Sequence, residues 1–214
     1  MRWLWILMVL YIVGIGPGSS DYITPAAATA VKNSETVFGS KRALELFSDV
    51  NEAVVLGAGD MDEKLEMAAD LAVSGKVSVL STGDPGFSGV LKPIKRIISE
   101  KKLDVEVQVI PGVSSVQLCA ARLLIPWDDA DIVTFHGRGE EDIVDIIDNG
   151  RPTIILPSRT PSETARFLME SGVDPERCAA VCERLSYPDE RVVKLKLREV
   201  AVSEFSYMSV IVVF

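Results

Sequence analysis

Histidine and cysteine are scarce in this chain, and their scarcity narrows its chemistry. His136 is the one histidine among 214 residues, which excludes a metal centre built from histidines. The three cysteines, Cys119, Cys178 and Cys182, contain no CxxC pair, so neither a disulfide framework nor a zinc site is expected. Chemistry without a protein-bound metal follows. Cys178 and Cys182 fall in "RCAAVCERL", which reads as a buried strand using cysteine as a small hydrophobe. Positive charge is also in deficit, with 22 Lys and Arg against 31 Asp and Glu. A net charge of −9 argues against a broad nucleic-acid or anionic-membrane surface, though not against a local basic groove. Long apolar runs are missing too. "MRWLWILMVLYIV" stops at Gly14, short of the roughly 20 residues that cross a bilayer, and no small-residue cleavage site separates it from the loop beyond. Met8–Val13 is therefore expected to be a buried first strand, and the protein to be cytoplasmic, with no membrane partner.

What is present is alternation. Hydrophobic residues make up 48% of the chain, and short β-rich runs alternate with longer helical patterns, as in βαβ units around a largely parallel sheet. Strands are expected at 36–40, 53–57, 76–81 and 105–110, with helices between them. Thr24 should cap the first helix and Pro25 should begin it. A helix "VQLCAARLL" closes this half, and the aperiodic "IPWDDA" then marks a boundary. Beyond it, strands "DIVTFHG" and "PTIILPS" alternate with helices "EEDIVDIID" and "SETARFLMESG". Three closely spaced strands, "CAAVCERL", "RVVKLKL" and "YMSVIVVF", end the chain and should pair antiparallel. The expected organisation is two α/β lobes, 1–125 and 126–214, the first largely parallel and the second mixed.

Three loops carry the chemical signal. "GIGPG" places glycines at 14, 16 and 18, but Ser19 stands where a dinucleotide fingerprint needs its third glycine. Pro17 also removes a backbone N–H that a phosphate would use, and "VFGSKRA" lacks the acidic residue expected to hold a ribose. By itself this loop reads equally well as a simple chain reversal. "STGDPGFSG" follows another apolar strand and sets Asp84 among Gly83, Gly86 and Gly89. A carboxylate at a strand's carboxyl end suits a neutral or cationic ligand, whereas an Asx turn is the plainer alternative for Asp84. "IPGVSS" leaves a third strand, and Ser114 or Ser115 there reads first as a helix cap.

Together, "VGIGPGSSDYIT", "STGDPGFSG" and "VIPGVSSVQLCAARLLIPWDDADIVTFHGR" resemble the tetrapyrrole (uroporphyrinogen III C/corrin) methylase family. "RPTIILPSRTPSETARFLMESG" and "CERLSYPDERV" are similar to its cobalamin-pathway branch, the precorrin-7 C5-methyltransferases. The resemblance runs in order from about residue 8 to the end. It implies a methyl group transferred from S-adenosyl-L-methionine, held between two α/β lobes, to a meso carbon (C5) of a precorrin or cobalt-precorrin. S-adenosylhomocysteine would be the product. It further implies a homodimer, a small-molecule tetrapyrrole substrate and no nucleic-acid partner.

By the same resemblance, Gly16, Pro17, Gly83, Asp84, Phe87, Ser114, Ser115 and Leu156 should line the cofactor pocket. No side-chain nucleophile is needed, which agrees with the lack of any Ser-His-Asp or Cys-His set. Asp84 and His136 are the candidates for a proton acceptor, neither with an assigned role. The substrate's carboxylates would be met by Arg138, Arg159 and Arg184, with His136 beside them, although each arginine reads equally as an ordinary surface ion-pair partner. Two rival readings remain open: a methylase of the same fold acting on another ring carbon, a diphthamide precursor or ribosomal RNA, and a nucleotide-binding α/β protein without catalysis.

Overall fold

The computed structural model describes residues 8–135 and 143–214. They divide between Ser114 and Ser115 into two compact units. The expected boundary at 125 lies after the helix "VQLCAARLL", whereas the packing groups that helix with the second unit.

The first unit is a five-stranded sheet of β1 (Val9–Gly14), β2 (Thr36–Gly39), β3 (Glu52–Val55), β4 (Lys76–Ser81) and β5 (Glu106–Ile110), in the order β3-β2-β4-β1-β5. All four pairings are parallel. Parallel strands require helical crossovers, which cover both faces and demand apolar residues on both. β1 shows the result. Leu10 and Ile12 enter a core with Leu65, Ala68 and Ala69 of α3 (Met61–Leu71) and Ile94 and Ile97 of α4 (Leu91–Lys101). Val13 points the other way, into a core with Ala27 and Val31 of α1 (Pro25–Lys32) and Ala43 of α2 (Lys41–Leu44). Thr24 caps α1, its hydroxyl accepting from the Ala27 N–H at 3.1 Å, and Pro25 begins it, as the sequence predicts.

The second unit opens with α5 (Ser115–Leu123). Its sheet joins β6 (Asp131–Thr134), β7 (Thr153–Leu156), β8 (Cys178–Glu183), β9 (Arg191–Lys196) and β10 (Ser209–Val213) in the order β6-β7-β10-β8-β9. β6 and β7 are parallel; β10 runs antiparallel to β7 and β8, and β9 antiparallel to β8. The mixed sheet with antiparallel C-terminal strands agrees with the sequence reading. One face carries a core of Ile155, Val181 and Ile211 with α6 (Ile143–Ile147), α7 (Pro161–Glu170) and α8 (Leu197–Val202). α5 packs on β7 and β10.

Two expectations need correction. "RVVKLKL" is not all strand: β9 ends at Lys196 and α8 begins at Leu197. Leu197, Val200 and Ala201 are buried at helical spacing, and Glu199 accepts from the Lys196 N–H at 2.6 Å, half of a capping box. Cys178 is exposed, because it starts β8 where the strand has not yet entered the core; Cys182 is buried as expected.

Candidate functional site

Parallel pairing dictates where the three signal loops go. Gly14 pairs with Ser81 across β1 and β4, and Val13 with Ile110 across β1 and β5. The three strands therefore end in step, and the loops 15–18, 82–89 and 111–114 leave the same carboxyl edge. That edge is where open α/β sheets bind ligands.

The loops are then fastened to each other through backbone. The Ile15 N–H donates to the Ser81 carbonyl at 3.0 Å, and the Gly83 N–H to the Gly16 carbonyl at 2.8 Å. Gly16 and Gly83 form an isolated bridge, both at positive φ (79° and 73°). A side chain at Gly16 would strain that backbone and stand 2.8 Å from Cβ of Tyr22. Asp84 closes the third side. Its Oδ1 accepts from the Gly86 N–H at 2.8 Å, an Asx turn, while Oδ2 accepts from the Gly112 N–H at 3.1 Å in the third loop. The plainer reading of Asp84 thus accounts for one of its oxygens only. The other ties the second loop to the third.

Gly14 and Gly112 are not among the residues expected to line the cofactor pocket, yet they set the closest approach in the site. A Cβ on Gly14 would lie 2.5 Å from the Gly112 nitrogen and 2.8 Å from the Gly83 carbonyl oxygen. Only the strand order, which seats β1 between β4 and β5, brings these glycines together. Pro17 is buried, Phe87 half-buried, and buried Ser114 is the last residue of this unit. The amides of Gly83, Gly86 and Gly112 are all engaged inside the loop cluster, so none is left as a phosphate cradle.

The remaining candidates belong to the second unit. Ser115 begins α5. β6, β7 and β8 share one direction, each being parallel to the next or antiparallel to β10, so their carboxyl ends share an edge. Leu156 ends β7 there, half-buried, and exposed Arg159 follows it in the turn before α7. Arg184 follows β8. His136 and Arg138 follow β6 in the sequence and lie outside the described residues. Arg184 is engaged within its own loop: its Nε stands 2.5 Å from Asp189 Oδ2 and its guanidinium lies 4.8 Å from the Tyr187 ring centroid. The Asp189 hydrogen bond holds the arginine's pKa above its ordinary value, and the same bond lowers that of Asp189. Arg184 and Ser186 both adopt positive φ (48° and 71°) without being glycine. Glu190 offsets that strain, accepting from the Ser186 N–H at 2.7 Å and from Arg122 Nε of α5 at 2.5 Å. No local pattern signals this Arg122–Glu190 tie, which joins residues 68 apart. Among the described residues no group of three or more His, Cys, Asp or Glu could hold a metal ion, and no helix is long and apolar enough to cross a membrane.

A parallel sheet whose carboxyl edge carries three interlocked, glycine-lined loops, in a chain with a second unit of mixed sheet, defines an α/β protein of two units with a candidate ligand edge. The chain belongs to the tetrapyrrole (corrin/porphyrin) methylases, whose family profile matches residues 9–201. It is 39% identical over 208 residues to the probable cobalt-precorrin-7 C(5)-methyltransferase of Methanocaldococcus jannaschii, covering 95% of this chain and 97% of that one. The precorrin-6Y methylase of Archaeoglobus fulgidus has the same fold, with a TM-score of 0.74 at 25% identity, covering 96% of this chain and 97% of that one. So does the uroporphyrin-III C-methyltransferase of Thermus thermophilus, solved with S-adenosylhomocysteine, with a TM-score of 0.74 at 25% identity over 95% and 91% of the two chains.

Proposed function

We propose that this chain is an S-adenosylmethionine-dependent C-methyltransferase acting on C5 of precorrin-7 or cobalt-precorrin-7 in cobalamin biosynthesis. The observation that carries the reading is the carboxyl-edge loop cluster locked by Asp84, in a chain nearly coextensive with its methanogen relative. The donor fits that cluster. It has no phosphate to bind, and the amides of Gly83, Gly86 and Gly112 are already engaged; it needs close backbone approach, which Gly14, Gly16, Gly83 and Gly112 allow.

In this reading Gly16, Pro17, Gly83, Asp84, Phe87 and Ser114, with Ser115 and Leu156 of the second unit, hold the cofactor. When bound, the cofactor supplies a methyl group already activated by its positive sulfur. The protein's task is then positional: to keep donor and ring carbon in line. Asp84 serves this task by fixing the two loops it joins. Arg138 and Arg159 pair with substrate carboxylates, and Arg184 joins them by exchanging Asp189 for a substrate group. His136 or Asp84 accepts the departing proton. The protein works in the cytoplasm as a homodimer.

The test is methyl transfer from isotopically labelled S-adenosylmethionine to a panel of precorrins with and without cobalt. One labelled methyl at C5, located by mass spectrometry and NMR, is the expected result; label at another carbon, or none on any ring, overturns the assignment. Arg138→Ala should raise the substrate's KM and leave S-adenosylhomocysteine affinity unchanged. A variant that loses both equally would displace Arg138 from the substrate set.

A further inference from the structure

Cys119 lies on the buried face of α5 and Cys182 near the end of β8, between Val210 of β10 and Val192 of β9. Both are fully buried thiols, 63 residues apart in sequence, and their sulfurs stand 2.7 Å apart. Non-bonded heavy atoms settle at roughly 3.5–4.0 Å, whereas a disulfide spans about 2.05 Å. The two sulfurs are thus already nearer than ordinary non-bonded contact, on the way to a covalent bond. Cys178 is out of reach of Cys182. It sits four residues from Cys182 along an extended strand, about 13 Å away, beyond the roughly 7 Å that a disulfide can bridge.

We propose that Cys119 and Cys182 are a cross-linking pair that oxidises to an internal disulfide, fastening α5 to the sheet of the second unit. The oxidant is a small disulfide such as oxidised glutathione. One protein thiolate attacks it and releases one small thiol; the second protein thiol, after losing its proton, displaces the other. Two S–H bonds and the small disulfide's S–S bond break, while one protein S–S bond and two S–H bonds of the released thiols form. The small disulfide is reduced by two electrons. In the folded unit the Cys119 thiol is held protonated, chiefly by its contact with Cys182 and then by burial, and both sulfurs are closed to solvent. The bond therefore forms as the chain folds, before α5 seals the pair.

The experiment is refolding of the full chain from denaturant in an oxidised/reduced glutathione buffer, against a refold in dithiothreitol. After alkylation in denaturant, the glutathione sample should be lighter by two hydrogens before labelling, take up label only at Cys178, and yield a Cys119–Cys182 peptide. Closing a loop of this length should raise its Tm by roughly 10 °C over the dithiothreitol sample. The shift should survive in Cys178→Ser, which removes the exposed thiol and nothing in the core. Recovery of three alkylatable cysteines, or a cross-link that includes Cys178, overturns the proposal.

Discussion

Both units build five-stranded sheets, yet they hold their functional loops by different means. In the first, every strand points the same way, so three loops leave one edge together and are tied by backbone, glycine to glycine and amide to carbonyl, and by the Asp84 side chain. In the second, β6, β7 and β8 run one way and β9 and β10 the other, and the loop after β8 adds charge to its backbone bonds, with Arg184 on Asp189 and Glu190 on Arg122. The first arrangement tolerates almost no change of size; the second tolerates size but depends on ionisation.

Mutations can separate these two regimes, and the largest effect should come from bulk in the first. Gly112→Ala and Gly14→Ala each put a methyl group inside backbone contact distance, and each should cost about 3 kcal/mol or more, read as a fall in Tm. A loss under 1 kcal/mol would mean the loops can part. Asp84→Ala comes next. It leaves two glycine amides without their acceptor, and it should weaken S-adenosylhomocysteine binding by 10-fold or more in calorimetry, corresponding to about 1.4 kcal/mol. Unchanged affinity would detach Asp84 from the cofactor site.

In the second unit the effects should be smaller. Thr160 caps α7 in a reciprocal box with Glu163, and Thr160→Ala should cost about 1 kcal/mol by thermal unfolding. Smallest at neutral pH is Glu190→Gln, under about 1 kcal/mol, because the ion pair with Arg122 is half open to water. Its signature is pH dependence. The hydrogen bond from Arg122 lowers the Glu190 pKa, so the carboxylate's contribution is complete above the unfolded value, about 4.3, and is lost as pH falls through the lower folded value. Glu190→Gln should flatten that acid limb of the Tm profile; a limb unchanged by the substitution would assign acid sensitivity elsewhere.

The strand–helix alternation, the caps at Thr24 and Pro25 and the mixed second sheet could all be read from periodicity and turn residues, because those signals are local. The carboxyl-edge loops were legible for the same reason, since each follows its own apolar strand. What stayed hidden is pairing across the sequence. Gly14 and Gly112 meet only because β1 lies between β4 and β5, and nothing in either segment encodes that order. Arg122 and Glu190 meet only once α5 packs in the second unit. α8 escaped notice because no turn residue separates it from β9, though its Leu197, Val200 and Ala201 carried the period. The exposure of Cys178 reflects its position at a strand's first residue, which composition does not reveal.

The outer strands of both sheets bear on how copies of this chain meet one another. Among the described residues β3, β5, β6 and β9 are the sheet edges, and each is at least partly open to solvent, unlike the buried β1 and β10. Each edge carries charge: Glu52, Glu106, Asp131, and on β9 Arg191, Lys194 and Lys196. Pairing one edge in parallel with its own copy would set like charges side by side and strip their water, which disfavours that mode of strand addition. The in-register parallel stacking of identical strands that builds fibrils is thereby discouraged at each of these edges.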